Sequence, residues 1–230
     1  MDARAVRADR TGRGRQDPRP ARKIVVIGVD FDNTIVCYDD VFGRVALDLD
    51  LVPPHAATSK TSVRDHLRSI GQEERWTELQ GIIYGPRMID AALFPGVATF
   101  FADCRTNGIP IAIVSHRTRF PYLGERHDLH AAARDFLARY GFHGEAGIGL
   151  PADRVFFEET KEGKLARIAA IGCTTFIDDL PELLADPRFP AGVRRILFDP
   201  HATQDAPAGV VSARSWLEIA DLVRRGGVGA

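Results

Sequence analysis

Five short apolar runs govern what this chain can fold into: "KIVVIGV" (23–29), "IPIAIVS" (109–115), "RVFFE" (154–158), "TTFID" (174–178) and "RRILFD" (194–199). None alternates apolar and polar residues as a half-solvated strand does, so each reads as a strand buried on both faces. Helical patterns lie between them. "VATFFADCRTNG" stops at Asn107-Gly108, and "DLHAAARDFLARYG" runs from Asp128 as N-cap to Gly141. "KEGKLARIAAIG" sets Leu165, Ile168 and Ala169 on one face, and "SWLEIADLVRR" is amphipathic behind Ser215. Strand alternating with helix predicts an α/β fold, a doubly wound parallel sheet with right-handed crossovers. The ligand of such a sheet sits at the carboxyl ends of its strands.

The interval from about Tyr38 to Phe94 breaks the alternation. "VFGRVALDLD", "TSVRDHLRSIG", "EERWTELQGIIYG" and "PRMIDAALF" all read as helices. The expected organisation is a core of residues 23–37 and 95–230, a small helical insert at 38–94, and a basic tail at 1–22. The tail carries Arg4, Arg7, Arg10, Arg13, Arg15, Arg19 and Arg22 with almost no large apolar residue. It cannot bury a core and is expected to be disordered.

Composition excludes more than it names. With 45% hydrophobic and 27% charged residues the chain is ordinary for a soluble globular protein. A net charge of −1 provides no field for binding nucleic acid or a membrane surface. No apolar run approaches the ~20 residues that span a bilayer, and the N-terminus lacks the apolar stretch of a secretory signal. Cys37, Cys104 and Cys173 are odd in number and sit in apolar contexts, as reduced packing thiols do. The expectation is a cytoplasmic protein with neither membrane nor nucleic acid as partner.

The chemistry follows the apolar runs. The first ends in Asp30 and Asp32, the second in Ser115, His116 and Arg117, and the fourth in Asp178 and Asp179. "ETKEGK" sets Lys161 and Lys164 at the start of a helix. In a parallel sheet these ends face one crevice. Carboxylates at that density require a cation, and hard oxygen ligands suit Mg²⁺.

This set resembles the haloacid dehalogenase (HAD) superfamily in all four of its motifs and in their order. "VIGVDFDNTIV" is similar to the first motif, "IAIVS" to the second, Lys161 or Lys164 fits the third, and "FIDD" fits the acidic fourth. "LFPGV" (93–97) resembles the return from a cap into the core. The resemblance implies that Asp30 is a nucleophile forming an aspartyl-phosphate and that Asp32 is the general acid and then the base. It implies Mg²⁺ bound by Asp30, the Asp32 carbonyl and Asp178, with Asp179 sharing the metal through water or orienting the lysine. Ser115 and the lysine would hold the phosphoryl oxygens. Lys161, at the strand-to-helix junction, is the preferred lysine and Lys164 the alternative.

The resemblance further implies that the insert is a small C1-type cap, with Lys60, Arg64, Arg68, Trp76, Tyr84 and Arg87 as candidate contacts. Thr34, His116, Arg117 and Arg119 are the expected substrate-binding residues, the two arginines for a second anionic group. Asp32 favours phosphoryl transfer over carbon–halogen cleavage. The implied activity is a Mg²⁺-dependent phosphatase acting on a small phosphorylated metabolite such as a sugar phosphate or nucleotide. The alternatives are a phosphotransferase and a non-catalytic binding or regulatory module.

Overall fold

The computed structural model describes residues 25–56, 59–144 and 146–227. The expected tail at 1–22 lies outside the described residues. The chain opens with β1 (Ile27–Val29) and a short β2 (Val36–Cys37), then enters α1 (Asp39–Asp48), α2 (Lys60–Ser69) and α3 (Glu73–Tyr84). It returns through β3 (Ala92–Leu93) to α4 (Val97–Thr106), β4 (Ile111–His116), α5 (Leu129–Arg139) and β5 (Val155–Glu158). Then follow α6 (Lys161–Ala170), β6 (Thr175–Asp178), α7 (Pro181–Leu184), β7 (Arg194–Phe198), β8 (Val210–Ala213) and α8 (Trp216–Gly227).

Six parallel strands form the main sheet in the order β5-β4-β1-β6-β7-β8. Counted along the chain this is 3-2-1-4-5-6, the doubly wound order whose direction reverses beside its first strand. Register puts the chemistry there. Val29 pairs with Ile113 on one side and Ile177 on the other, so Asp30 and Asp178 leave the sheet level with each other. Ile27, Val29, Ile113, Phe176 and Ile177 are wholly buried, as continuous apolar runs in a two-sided sheet require. Gly28 is demanded by packing: a Cβ there would fall 2.5 Å from the Phe176 ring. Trp216, buried on α8, donates its indole N–H to the Thr34 carbonyl at 3.1 Å and so ties the last helix to the loop after β1.

The insert between β2 and β3 is helical. Phe42, Val45, Val63, Leu67, Trp76, Leu79 and Ile83 fill its interior and join the core of the sheet in one apolar cluster. "PRMIDAALF" departs from expectation. It forms a 3-10 turn at Pro86–Asp90 and then β3, whose Ala92 and Leu93 pair antiparallel with Cys37 and Val36. This two-stranded neck closes the insert onto the core. β8 was also not expected. Its two central residues, Val211 and Ser212, are exposed, so it lacks the continuous apolar signal of the inner strands. All three cysteines are free. Among the described residues no helix is long and apolar enough to cross a membrane.

Candidate active site

At the sheet's switch point Asp30, Asp178 and Lys164 form a buried triad. The Lys164 ammonium donates to Asp30 Oδ1 and to Asp178 Oδ2, each at 2.6 Å. The side chains of Lys164, Asp30 and Asp178 are 2%, 6% and 0% exposed. Asp178 Oδ1 accepts from the Leu180 amide at 2.9 Å. Asp179 completes the group: one carboxylate oxygen each from Asp30, Asp178 and Asp179 lies within 4.8 Å of the others.

Three carboxylates around one ammonium leave negative charge in excess where solvent is scarce. Asp30 is raised to about 7 by the balance of burial, which pushes it up, Lys164, which draws it down, and Asp178, which pushes it up. Burial, then Asp178 and Asp30, hold Asp179 well above the usual carboxylate range. Burial works against the charge on Lys164, but Asp178 and Asp30 more than offset it and its pKa rises. An all-oxygen cluster with uncompensated charge fits a hard divalent cation. Asp199, at the end of β7, shows what a satisfied carboxylate looks like. It accepts from the Thr203 and Gln204 amides at 3.1 and 2.9 Å and lies outside the cluster.

The lysine in this triad is Lys164, not Lys161. Lys161 is 39% exposed and pairs with Asp186 at 2.8 Å. Both belong to the first turn of α6, whose N-cap Thr160 accepts from the Gly163 amide at 3.0 Å. A helical side chain leans towards the N-terminus and covers the turn before its own Cα. The residue one turn in therefore reaches the strand ends, while the first residue projects beyond them.

Asp32 has a different environment. The turn after it bends back at Asn33, which has φ 54°, and the Ile35 and Val36 amides both donate to the Phe31 carbonyl at 3.0 Å. Asn tolerates this left-handed conformation better than most residues. Asp32 Oδ1 accepts from the Tyr38 hydroxyl at 2.6 Å, and both its oxygens accept from Arg117 Nη1 at 2.7 Å. Asp32, Arg117, His116 and Tyr84 line a cavity of about 210 Å³ between α3 and the loop after β4. Gly81 permits that narrow spacing, since a Cβ there would lie 2.8 Å from Pro121.

The structure places the other expected site residues as follows. Ser115 is buried at the end of β4, paired across the sheet with Phe157. His116 is exposed, with Nε2 3.2 Å from the Glu159 carbonyl. Arg117, expected to meet the substrate, has a side chain only 3% exposed and is committed to Asp32 and to backbone carbonyls. Arg119 points away to Asp128 at 3.0 Å and does not line the cavity. Thr34 is fully buried, its hydroxyl finds no hydrogen-bond partner among the described residues, and it does not line the cavity.

No family model matches the sequence, and no curated protein does. Solved structures do match. A haloacid dehalogenase-like hydrolase from Burkholderia xenovorans is similar over 90% of this chain and 99% of its own, with TM-score 0.55 and 13% identity. A family IA HAD hydrolase from Entamoeba histolytica covers 87% and 99%, with TM-score 0.53 and 14% identity. A HAD family hydrolase from Deinococcus radiodurans, solved with bound phosphate and sodium, covers 90% and 98%, with TM-score 0.51 and 14% identity. The chain has the HAD-like hydrolase fold.

On this HAD-like fold the insert's candidate contacts sort themselves by partner. Arg64 pairs with Asp65, Arg68 with Glu73, and Arg87 with Asp48 and Asp90. Trp76 is buried 5.2 Å from the Phe42 ring. Lys60 and Tyr84 remain. The Lys60 ammonium donates to the Tyr84 hydroxyl at 3.0 Å and lies 5.2 Å from the centroid of Phe42. Burial opposes its charge, yet Tyr84, Asp179 and Asp32 outweigh that and its pKa rises. Tyr38 is a site residue that the sequence does not signal. A tyrosine six residues past a carboxylate carries no local signal, and only the fold of the turn brings its hydroxyl back.

Proposed function

We propose that this chain is a divalent-metal-dependent phosphatase that hydrolyses a small organic phosphomonoester through a phosphoryl group carried on Asp30. The observation that carries the reading is the pair of environments at 30 and 32. One carboxylate sits in an oxygen-rich cluster with Lys164. The other, two residues on, is held apart by donors and faces a cavity. The Deinococcus neighbour, solved with bound phosphate and sodium, supports phosphate as a group that a protein of this fold binds.

Asp30 attacks phosphorus with a carboxylate oxygen, and the bond from phosphorus to the substrate's bridging oxygen breaks. Asp32 gives that departing oxygen a proton. In the second step Asp32 takes a proton from water, hydroxide attacks phosphorus, and the bond to Asp30 breaks to release inorganic phosphate. Tyr38 and Arg117 stabilise the Asp32 carboxylate between these steps. Lys164 keeps Asp30 aimed and offers positive charge to the phosphoryl oxygens, and Ser115 supplies a hydroxyl at the neighbouring strand end. Asp30, Asp178, Asp179 and the Asp32 carbonyl are the groups that would hold Mg²⁺, whose charge lets one anion approach another. The cavity of about 210 Å³ is smaller than the ~300–1,000 Å³ of sites for drug-sized ligands, which favours a small leaving group.

The test is turnover of a phosphate-ester panel by purified protein, with Mg²⁺ and with EDTA. Metal-dependent release of phosphate from one or more esters is expected. No release from any ester at saturating Mg²⁺ would overturn the reading in favour of a phosphate-binding module.

A further inference from the structure

Arg117 is the feature least explained by the reading above. A guanidinium is costly to bury, and here every donor is spent on the protein. Nε donates to the Leu129 carbonyl at 3.1 Å, at the start of α5. Nη2 donates to the Tyr84 carbonyl at 2.5 Å, on the last residue of α3, with Met88 Sδ at 3.6 Å. Nη1 meets both oxygens of Asp32. The plane is packed 5.7 Å from the Phe31 centroid and 5.4 Å from that of Tyr84. One side chain therefore joins the core, the end of the insert's helix α3 and the carboxylate at 32.

The second donor to Asp32 has a matching origin. Tyr38 is the residue from which α1 starts, the entry to the insert, and its ring lies 5.2 Å from that of Tyr84. Asp32 is thus gripped by Tyr38 at the entry to the insert and, through Arg117, from Tyr84 at the end of α3. Among the described residues the partners of its carboxylate are Tyr38 and Arg117, the latter directly after β4. A carboxylate that must meet a bridging oxygen on one step and a water on the next gains from a fixed aim, since small misplacements of a proton donor cost rate steeply.

We infer that Arg117 and Tyr38 are positioning residues for Asp32 that set its aim from the entry to the helical insert and from the end of its helix α3. This rests on the phosphatase reading and on Asp32 as its proton carrier. The consequence is a substrate-dependent signature. A substrate with a poor leaving group needs the proton and feels a mis-aimed Asp32. An aryl phosphate, whose phenolate departs without help, feels it little in the first step.

The experiment measures the first, enzyme-phosphorylating step by rapid quench on an alkyl and an aryl phosphate for wild type, Arg117→Lys and Tyr38→Phe. For Arg117→Lys the alkyl ester is expected to slow by about 10- to 100-fold, and the aryl ester by no more than about threefold. Tyr38→Phe retains the ring and removes one donor, so it is expected to show the same selectivity at about three- to tenfold. Should Arg117→Lys fail to fold, Tyr38→Phe decides alone. Equal slowing of both esters, or of neither, overturns the inference and leaves Arg117 a packing residue. Gly85→Ala tests the tie to the insert, because its Cβ would fall 2.8 Å from the Gly81 carbonyl and displace the Tyr84–Gly85 backbone. Loss of alkyl turnover with aryl turnover kept supports that tie, and an unchanged ratio removes it. Failure of the phosphatase reading would show differently, as wild-type protein without activity on either ester.

Discussion

Asp30 and Asp32 are two residues apart on one strand end, yet their surroundings oppose each other. Asp30 shares a single ammonium with Asp178 in a buried place where negative charge is in excess. Asp32 faces a guanidinium and a phenol and, among the described residues, has no other carboxylate in its hydrogen-bonded circle. One environment calls for a cation from outside, and the other is balanced by the chain itself. Identical side chains acquire separate duties in this way, because a metal-assisted nucleophile and a proton carrier need different neighbours. The difference comes from topology. Asp30 leaves the sheet beside β6, whereas the turn at Asn33 swings Asp32 towards the insert.

The comparison can be broken most sharply at Asp30. Asp30→Asn keeps the shape and removes the nucleophile, so activity should fall by at least about 10³-fold with the fold retained by circular dichroism. A loss of only a few-fold would move the nucleophile elsewhere. Next in size is the contrast between the two lysines. Lys164→Ala should cost about 100-fold in kcat/KM, and Lys161→Ala no more than about twofold. Reversal of that order would return the role to Lys161.

Asp32→Asn sharpens the other half of the comparison. Its first step should slow by about 100-fold with an alkyl phosphate and by much less with an aryl phosphate. Equal factors would make Asp32 a scaffold of the metal site. The smallest expected effect is on stability. Asp30 has its pKa raised from 3.8 to about 7, so the metal-free folded chain holds a proton that the unfolded chain releases between those values. Stability from this group is greatest at low pH, falls as pH rises through that window and is flat above it. Asp179, also raised, acts in the same sense. In EDTA at pH 8, Asp30→Asn should therefore raise Tm by about 5 °C. Added Mg²⁺ should raise Tm of wild type at that pH and have a smaller effect on the variant. A lower Tm for the variant in EDTA would mean that its bond to Lys164 outweighs the burial of its charge.

Much of the frame is legible in the sequence because buried parallel strands announce themselves as unbroken apolar runs. Their carboxyl ends face one way, so the sequence alone brings Asp30, Asp178 and Asp179 together. β8 was illegible because four residues with an exposed centre carry no such signal, and "PRMIDAALF" because a 3-10 turn and two paired residues mimic a helical pattern. Lys161 and Lys164 were indistinguishable by spacing, since each has apolar residues four and seven places on. The lean of helical side chains separates them only once the strand ends are in place. Arg117 follows a strand end and so reads in the sequence as a substrate contact at the crevice, whereas its donors are spent on the protein. What fixes it inward is the aromatic wall of Phe31 and Tyr84, contributed by segments 86 and 33 residues away in sequence.

The central claim is that Asp30 carries the phosphoryl group while Asp32 moves the proton. Acid quench of the enzyme during turnover, followed by peptide mass spectrometry, tests it directly. The expected result is a phosphoryl adduct on Asp30, formed with Mg²⁺ and absent with EDTA, and accumulating in Asp32→Asn with an aryl phosphate as water activation slows. An adduct on Asp32, Ser115 or any other residue, or turnover with no adduct at any quench time, would contradict the account.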